Sequence, residues 1–468
     1  MQKCAAAFTA FRAVKAALEV KIIIHFKEVS LVSSQRTPTQ VHSSFYHIIQ
    51  DMSNTPEPFV INPGADFTRR RICTFENTIL SILTMESHSL KRELFEFYRF
   101  QRMPSPTKSA FVQARGKLNT QSLCHLFSCF NQSFPFQKTF KGFHLLGVDG
   151  TDSNIPADED DTDSFIPYNS KNGGYYQNHT VAVYDLLEKR YLDAVIQPRG
   201  KLDEQDACVQ MVDRNPLEGE SLYIMDRGFY GFNLIAHIIN QNQFFLIRIK
   251  DIQLSSSSFK HIVPPDAEEY SIPVELILSR GRRKEDQQPN KRFLPSNRKF
   301  DFIPKGDTKS KYRLAFRLIK IKIGEGKFEF LITNLPDSKF SLADLRSLYN
   351  LRWKIETSFL FLKYGIAMNY FHSVCRDFIR QEILAKLILS NYISLMISCV
   401  PPIHNNSKFP HAVSVSDAIY KCRLYMLAPM TDTVFLNLLS RDTVPIRHDR
   451  TYRRKMQSQV LKSFQNRT

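Results

Sequence analysis

His144-Leu145-Leu146-Gly147-Val148-Asp149 is a short apolar run that stops at an acid. Ser221-Leu222-Tyr223-Ile224-Met225-Asp226 repeats the pattern further along the chain. Apolar runs of this length, β-rich and bounded by Gly and polar residues, read as buried strands. His179 to Leu186 and Tyr191 to Ile196 flank the turn-like Leu187-Glu188-Lys189-Arg190. With the first run they predict a three-strand antiparallel meander. A helix is expected from Asp203 to Asp213, the strand ending in Asp226 next, then a helix from Gly231 to Asn240 and a buried strand from Phe244 to Ile249. Three antiparallel strands, a crossover helix and further strands make an α/β sheet with helices on its faces. Ligand sites in such sheets form beyond strand ends, so Asp149 and Asp226 are the first site candidates.

Outward from this centre the rhythm changes. Residues 251–328 are polar or basic in long stretches, with strands expected at Ser271 to Leu278 and Arg313 to Ile323, and another at Phe328 to Thr333. They read as a mostly β insertion. A long helix is expected from Leu342 to about Tyr364, and a second from about Arg376 to Ser398. On the N-terminal side, residues 66–138 carry helical periodicity and basic faces, including a helix opened by Thr107 as N-cap that bears Gln113, Arg115 and Lys117. This reads as a helical, DNA-binding region. Residues 30–65, rich in Ser, Thr, Pro and Gln, read as a linker, which makes 1–65 an N-terminal extension and linker. The catalytic domain is expected over 139–400 and a loose basic tail over 401–468.

The 468 residues are 43% hydrophobic and 23% charged, a globular balance with room for two to four subdomains. The net charge of +17 and pI of 9.4 favour an anionic partner, nucleic acid ahead of a membrane surface. The eight Cys include no CxxC pair, which argues against a zinc ribbon or a disulfide framework and for free thiols in a reducing cytosol. Met1 to Val29 interleaves apolar residues with Lys and Arg and lacks a signal-peptide core; an amphipathic helix or upstream extension is expected. Ile383 to Val400 contains Lys386, Asn391 and several Ser, so it reads as a buried helix, and no membrane span is expected.

The third acid lies in Tyr349-Asn350-Leu351-Arg352-Trp353-Lys354-Ile355-Glu356, continuing to Lys363. At about 100° per residue, Tyr349, Arg352, Glu356 and Lys363 fall within roughly 60° of one another on a regular helix. The plain alternative is a solvated stripe in which Arg352 and Glu356, four apart, simply pair. The same helix is amphipathic, however, and a carboxylate flanked by cations suits metal-assisted phosphoryl chemistry. Two-metal phosphodiester cleavage needs hard oxygen ligands, and Mg²⁺ takes carboxylates, water and substrate phosphate.

Gly147-Val148-Asp149-Gly150-Thr151, Met225-Asp226-Arg227-Gly228-Phe229-Tyr230 and Tyr349-x2-Arg352-x3-Glu356-x6-Lys363 resemble the DDE transposases of bacterial insertion sequences. The last element resembles the tyrosine–arginine–glutamate–lysine signature of insertion sequence family four. The resemblance covers roughly residues 70–400. It implies an RNase H-like catalytic core interrupted by a β insertion. It implies that Asp149, Asp226 and Glu356 are catalytic and bind two Mg²⁺ or Mn²⁺ ions, and that Tyr349, Arg352 and Lys363 contact transposon-end DNA. It further implies double-stranded DNA as partner, a homodimer in the DNA complex, and a bacterial, cytoplasmic, nucleoid-associated setting. Some relatives stack a Trp of the insertion on a flipped base; the only Trp here is Trp353, which leaves a hairpin intermediate open.

Competing readings concern single residues and the reaction. Asp152 competes with Asp149 as first carboxylate but lies past the apolar run, where a loop Asp commonly caps a turn. Asp158 to Asp163 reads as a solvated acidic loop. The alternative functions are an RNase H-like nuclease without strand transfer and an inactive DNA-binding remnant.

Overall fold

The computed structural model describes residues 29–30, 36–69, 71–168, 173–252, 259, 262–282, 290–403 and 409–446. The expected N-terminal amphipathic helix and the basic segment from Arg447 lie outside them.

In chain order, β1 (Val29–Ser30) precedes five helices: α1 (Pro38–Asn54), α2 (Phe75–Thr84), α3 (Leu90–Phe100), α4 (Lys108–Arg115) and α5 (Gln121–Ser133). Next come β2 (Thr139–Phe140), β3 (Phe143–Ile155), β4 (Phe165–Pro167), β5 (Gly174–Asp185), β6 (Arg190–Pro198), α6 (Glu204–Asp213), β7 (Glu220–Met225), α7 (Phe232–Asn240) and β8 (Phe244–Ile249). Then follow β9 (Tyr270–Ser279), β10 (Lys291–Phe293), β11 (Lys311–Gly324), β12 (Lys327–Thr333), α8 (Leu342–Leu351), α9 (Trp353–Leu360) and α10 (Arg376–Ser398). The described chain closes with β13 (His411–Val413), α11 (Val415–Leu427), α12 (Asp432–Arg441) and β14 (Thr443–Pro445).

The large sheet is mixed. β6, β5 and β3 form the antiparallel meander, and β7 and β8 add to β3 in parallel. The edge beyond β8 is extended by β12, β11 and β9, all antiparallel, and by β10. The expected β insertion therefore continues the same sheet. Side chains alternate along β3 as a pleat requires: Leu145 joins the core on one face, Leu146 and Val148 the core on the other. α6 and α7 cover the second face. The first is covered by α8, α9 and α10 together with the five N-terminal helices.

α10 is the axis of the helical layer. Sixteen of its 23 residues are buried, so its polar residues must find partners inside. Arg115 Nη1 lies 2.8 Å from Glu382 Oε1, and Arg115 Nε donates to Gln381 Oε1 at 2.8 Å. Arg115, expected on a basic DNA-facing surface, is instead 1% exposed. Its guanidinium answers the Glu382 charge that α10 carries into the core. No described helix is long and apolar enough to cross a membrane, and the seven described Cys are free thiols.

Two terminal expectations are corrected. Residues 38–54 are not linker: Thr37 and Gln40 form a reciprocal capping box, and Val41, Phe45, Ile49 and Met52 bury one stripe of α1. Residues 411–446 are not a loose tail. Phe435 and Leu439 bury α12, and Thr39 Oγ1 and Tyr425 Oη both donate to Asp432 Oδ1, at 2.7 and 2.9 Å, clasping the C-terminal helices to α1.

Candidate active site

Two strands place two acids. β3 and β7 run parallel in register up to Val148 opposite Met225, so the next residues, Asp149 and Asp226, stand side by side. Asp226 lies just past the end of β7, whereas Asp149, expected to close its strand, sits midway along β3, which runs on paired with β5 to Ile155. Neighbouring strands lie about 4.8 Å apart. By the alternation of β3 and β7, both acids belong to the face that carries α9. Asp149 Oδ1 accepts from Gly150 N at 2.9 Å. Asp226 caps a short turn, its Oδ1 accepting from Gly228 N at 2.7 Å.

α9 brings the third acid over that face. A Cβ on Gly147 would stand 2.9 Å from Leu186 Cδ2 and 3.5 Å from Ile355 Cγ2. The bare glycine thus lets Ile355 settle directly on β3, one residue before Glu356. Ser358 Oγ and Tyr191 Oη share a 2.7 Å hydrogen bond, and Lys354 Nζ donates to Leu186 O at 3.0 Å, fixing the helix on both flanks.

The long helix expected over 342–364 keeps helical backbone but changes pitch. Around Arg352 the hydrogen bonds tighten, Arg352 N to Tyr349 O and Ile355 N to Arg352 O. Phe361–Gly365 form a π turn, with Ile366 N bonded to Phe361 O. Uniform helical spacing therefore does not describe this stretch. Arg352 bridges the acids: Nη2 donates to Glu356 Oε1 at 2.8 Å, and Nη1 reaches Asp149 Oδ2 at 3.4 Å. Tyr349, expected at the DNA, is 3% exposed, with Arg352 Cζ 5.9 Å from its ring centroid. Lys363, on the π turn, lies where its charge is felt by Asp152, and burial lowers its own pKa.

Electrostatics mark Asp149 as the strained member. Burial pushes its carboxyl up to about 6; Arg352 and the Gly150 amide pull down, and the charges of Glu356 and Asp226 push up again. Excess negative charge in a half-buried cleft is what a divalent cation relieves, so the donor set suits a hard metal ion. In this structure Arg352 fills the space between Asp149 and Glu356, and among the described residues no three His, Cys, Asp or Glu side chains stand gathered at metal-ligating spacing.

Asp152 is otherwise engaged. Its Oδ1 is 2.6 Å from His179 Nδ1 and 3.2 Å from Arg199 Nε. The acidic loop is partly tied down as well, Arg376 pairing with Asp161 and, at 3.9 Å, with Asp158. Sequence spacing gave no sign of His179 or of Glu204, 2.9 Å from His179 Nε2. Only the β3–β5 register, which sets Asp152 opposite His179, reveals the group.

The family described as "Transposase DDE domain" matches residues 144–392, more than half of the chain. No curated protein matches. Among solved structures, the chain is similar to a piggyBac transposase synaptic complex with hairpin DNA, solved by cryo-EM. That likeness has 10% identity and a TM-score of 0.45, covering 86% of this chain and 81% of that one.

Proposed function

Since the chain belongs to the transposase DDE domain family, we propose that it is a transposase of insertion-sequence type that binds the ends of its element, cleaves the phosphodiester bonds there and joins the 3′ ends to target DNA. The observation that carries this reading is the Arg352 bridge between Asp149 of β3 and Glu356 of α9, on the sheet face where the β3–β7 register sets Asp226 beside Asp149. The strand order β6-β5-β3-β7-β8, with the last two parallel to β3, supports an RNase H-like core followed by an insertion that extends its edge.

In this reading Asp149, Asp226 and Glu356 hold Mg²⁺ or Mn²⁺. Such ions, when bound, activate water or a 3′-hydroxyl and stabilise the leaving oxygen. Arg352 turns from the carboxylates to the scissile phosphate, a planar fork suited to two phosphate oxygens. Tyr349, buried beneath it, sets the guanidinium's orientation. Lys363 supplies a second phosphate contact. The helices of residues 66–138, without Arg115, offer further DNA contact, and the DNA complex is a homodimer.

A strand-transfer assay separates transposase from nuclease. A pre-cut element end with a free 3′-hydroxyl should be joined to target plasmid in Mn²⁺. Cutting of uncut ends with no joining of pre-cut ones would leave a nuclease instead.

A further inference from the structure

Asp149 and Asp226 are each followed within two residues by a glycine, and the same side chain stands against both. A Cβ on Gly150 would fall 2.4 Å from Glu204 Oε1 and 2.3 Å from His179 Nε2. One on Gly228 would fall 3.5 Å from Glu204 Oε2 and 3.0 Å from Asp226 Oδ1. A side chain at Gly150 would have to displace Glu204 and His179; one at Gly228 would crowd Asp226 and stand in ordinary contact with Glu204. Asp226 Oδ1 and Glu204 Oε2 thus both stand within 3.5 Å of one point above Gly228.

Glu204 is held there from two directions. It is the first residue of α6, where the helix N-terminus favours an anion. His179, on β5 and 5% exposed, spans two acids: Nδ1 is 2.6 Å from Asp152 Oδ1, and Nε2 is 2.9 Å from Glu204 Oε1 in an ion-pair contact not aligned as a hydrogen bond. Asp152 is also met by Arg199. Glu204, 30% exposed at its side chain, presents its other oxygen toward Gly228, on the Asp226 side.

We propose that Glu204 is a fourth carboxylate of the metal centre and that His179 is the positioning residue that keeps it beside Asp226. The inference rests on the proposed metal-dependent site. Mg²⁺ and Mn²⁺ retain waters when held by few protein ligands, and carboxylates around those waters tune binding.

The test is Mn²⁺ binding to the full chain without DNA, read by electron paramagnetic resonance. Glu204→Gln is isosteric and sits on a partly exposed side chain; it should weaken binding on the order of 10-fold. His179→Ala should weaken it equally, and the double variant should be no worse than Glu204→Gln alone, because His179 acts through Glu204. Unfolding midpoints verify that each variant is folded. If His179→Ala does not fold, Glu204→Gln decides alone. Wild-type Mn²⁺ affinity in Glu204→Gln, or losses that simply add, would overturn the proposal. Asp149→Asn and Asp226→Asn are run beside it. If they lose Mn²⁺ while Glu204→Gln does not, only the fourth carboxylate falls. If they too bind normally, the metal-dependent site itself fails.

Discussion

Arg352 Nη1 lies 3.4 Å from Asp149 Oδ2, so the residue joining α8 to α9, four before Glu356, touches the acid midway along β3. One guanidinium thereby ties the strand and helix contributions of the site together. Arg352→Ala should leave two half-buried carboxylates opposed with no cation between them. End cleavage should be lost, and Arg352→Lys should not restore it, because an ammonium cannot reproduce the fork. Single-turnover cleavage of end DNA by the two variants is the check. Recovery in the Lys variant would mean that only charge matters.

Asp149 gives a pH prediction with a definite sign. Its carboxyl is raised from 3.8 to about 6, chiefly by burial. A carboxyl raised by folding destabilises the native state once ionised. The penalty is absent below the unfolded value near pH 4 and complete above pH 6. Asp149→Asn should therefore unfold at higher denaturant than wild type at pH 8, by about 1–3 kcal/mol, with the gain shrinking as pH falls from 6 to 4. A destabilised variant at pH 8 would refute this. Metal affinity of the wild type should also fall as pH drops through 6, since the proton competes for the same oxygen.

Lys363 and Arg352 should govern the ionic part of end binding. Each Ala substitution should lower the slope of log affinity against log salt by about 1. Gel-shift titrations across a salt series measure this. An unchanged slope would assign both residues to local pairing alone.

The buried pair between α4 and α10 makes a structural prediction. Arg115 and Glu382 side chains are 2% and 1% exposed, and the Glu382 carboxyl is held down to about 2: burial alone would raise it, but Arg115 and His372 prevail. Glu382→Ala should strand a buried guanidinium and cost about 3–5 kcal/mol. A carboxyl depressed by folding stabilises above its unfolded value of 4.5, and that contribution is lost as pH falls toward 2. Urea unfolding at pH 7 and pH 3 should show the wild-type advantage shrinking at the lower value.

Much of the sheet was legible because its strands contain short apolar runs, and Asp149 and Asp226 stand out as acids closing two of them. The extension of β3 through polar residues to Ile155 was not, because it rests on pairing with β5. Glu356 was legible through its spacing to Arg352. The pitch changes at Arg352 and at Phe361–Gly365 were not, because they answer to tertiary packing, of Ile355 on β3 and of Gly365 against Ile419, rather than to local propensity. α1 was hidden by Ser, Thr and Gln composition, although Val41, Phe45, Ile49 and Met52 already hold helical spacing. Arg115 looked solvated because nothing local pairs it; its partner is 267 residues away. The His179–Glu204 contact depends on strand register and on a helix start, neither of which linear spacing displays.

The central claim is that Asp149, Asp226 and Glu356 act as one metal-dependent unit. The most direct measurement is Mg²⁺-dependent nicking of a supercoiled plasmid that carries the gene with its flanking DNA. Wild type is compared with Asp149→Asn, Asp226→Asn and Glu356→Gln, each verified as folded. Nicking should require the metal and fall to background in all three variants. Metal-independent nicking, or wild-type rates in any one of them, would contradict the account.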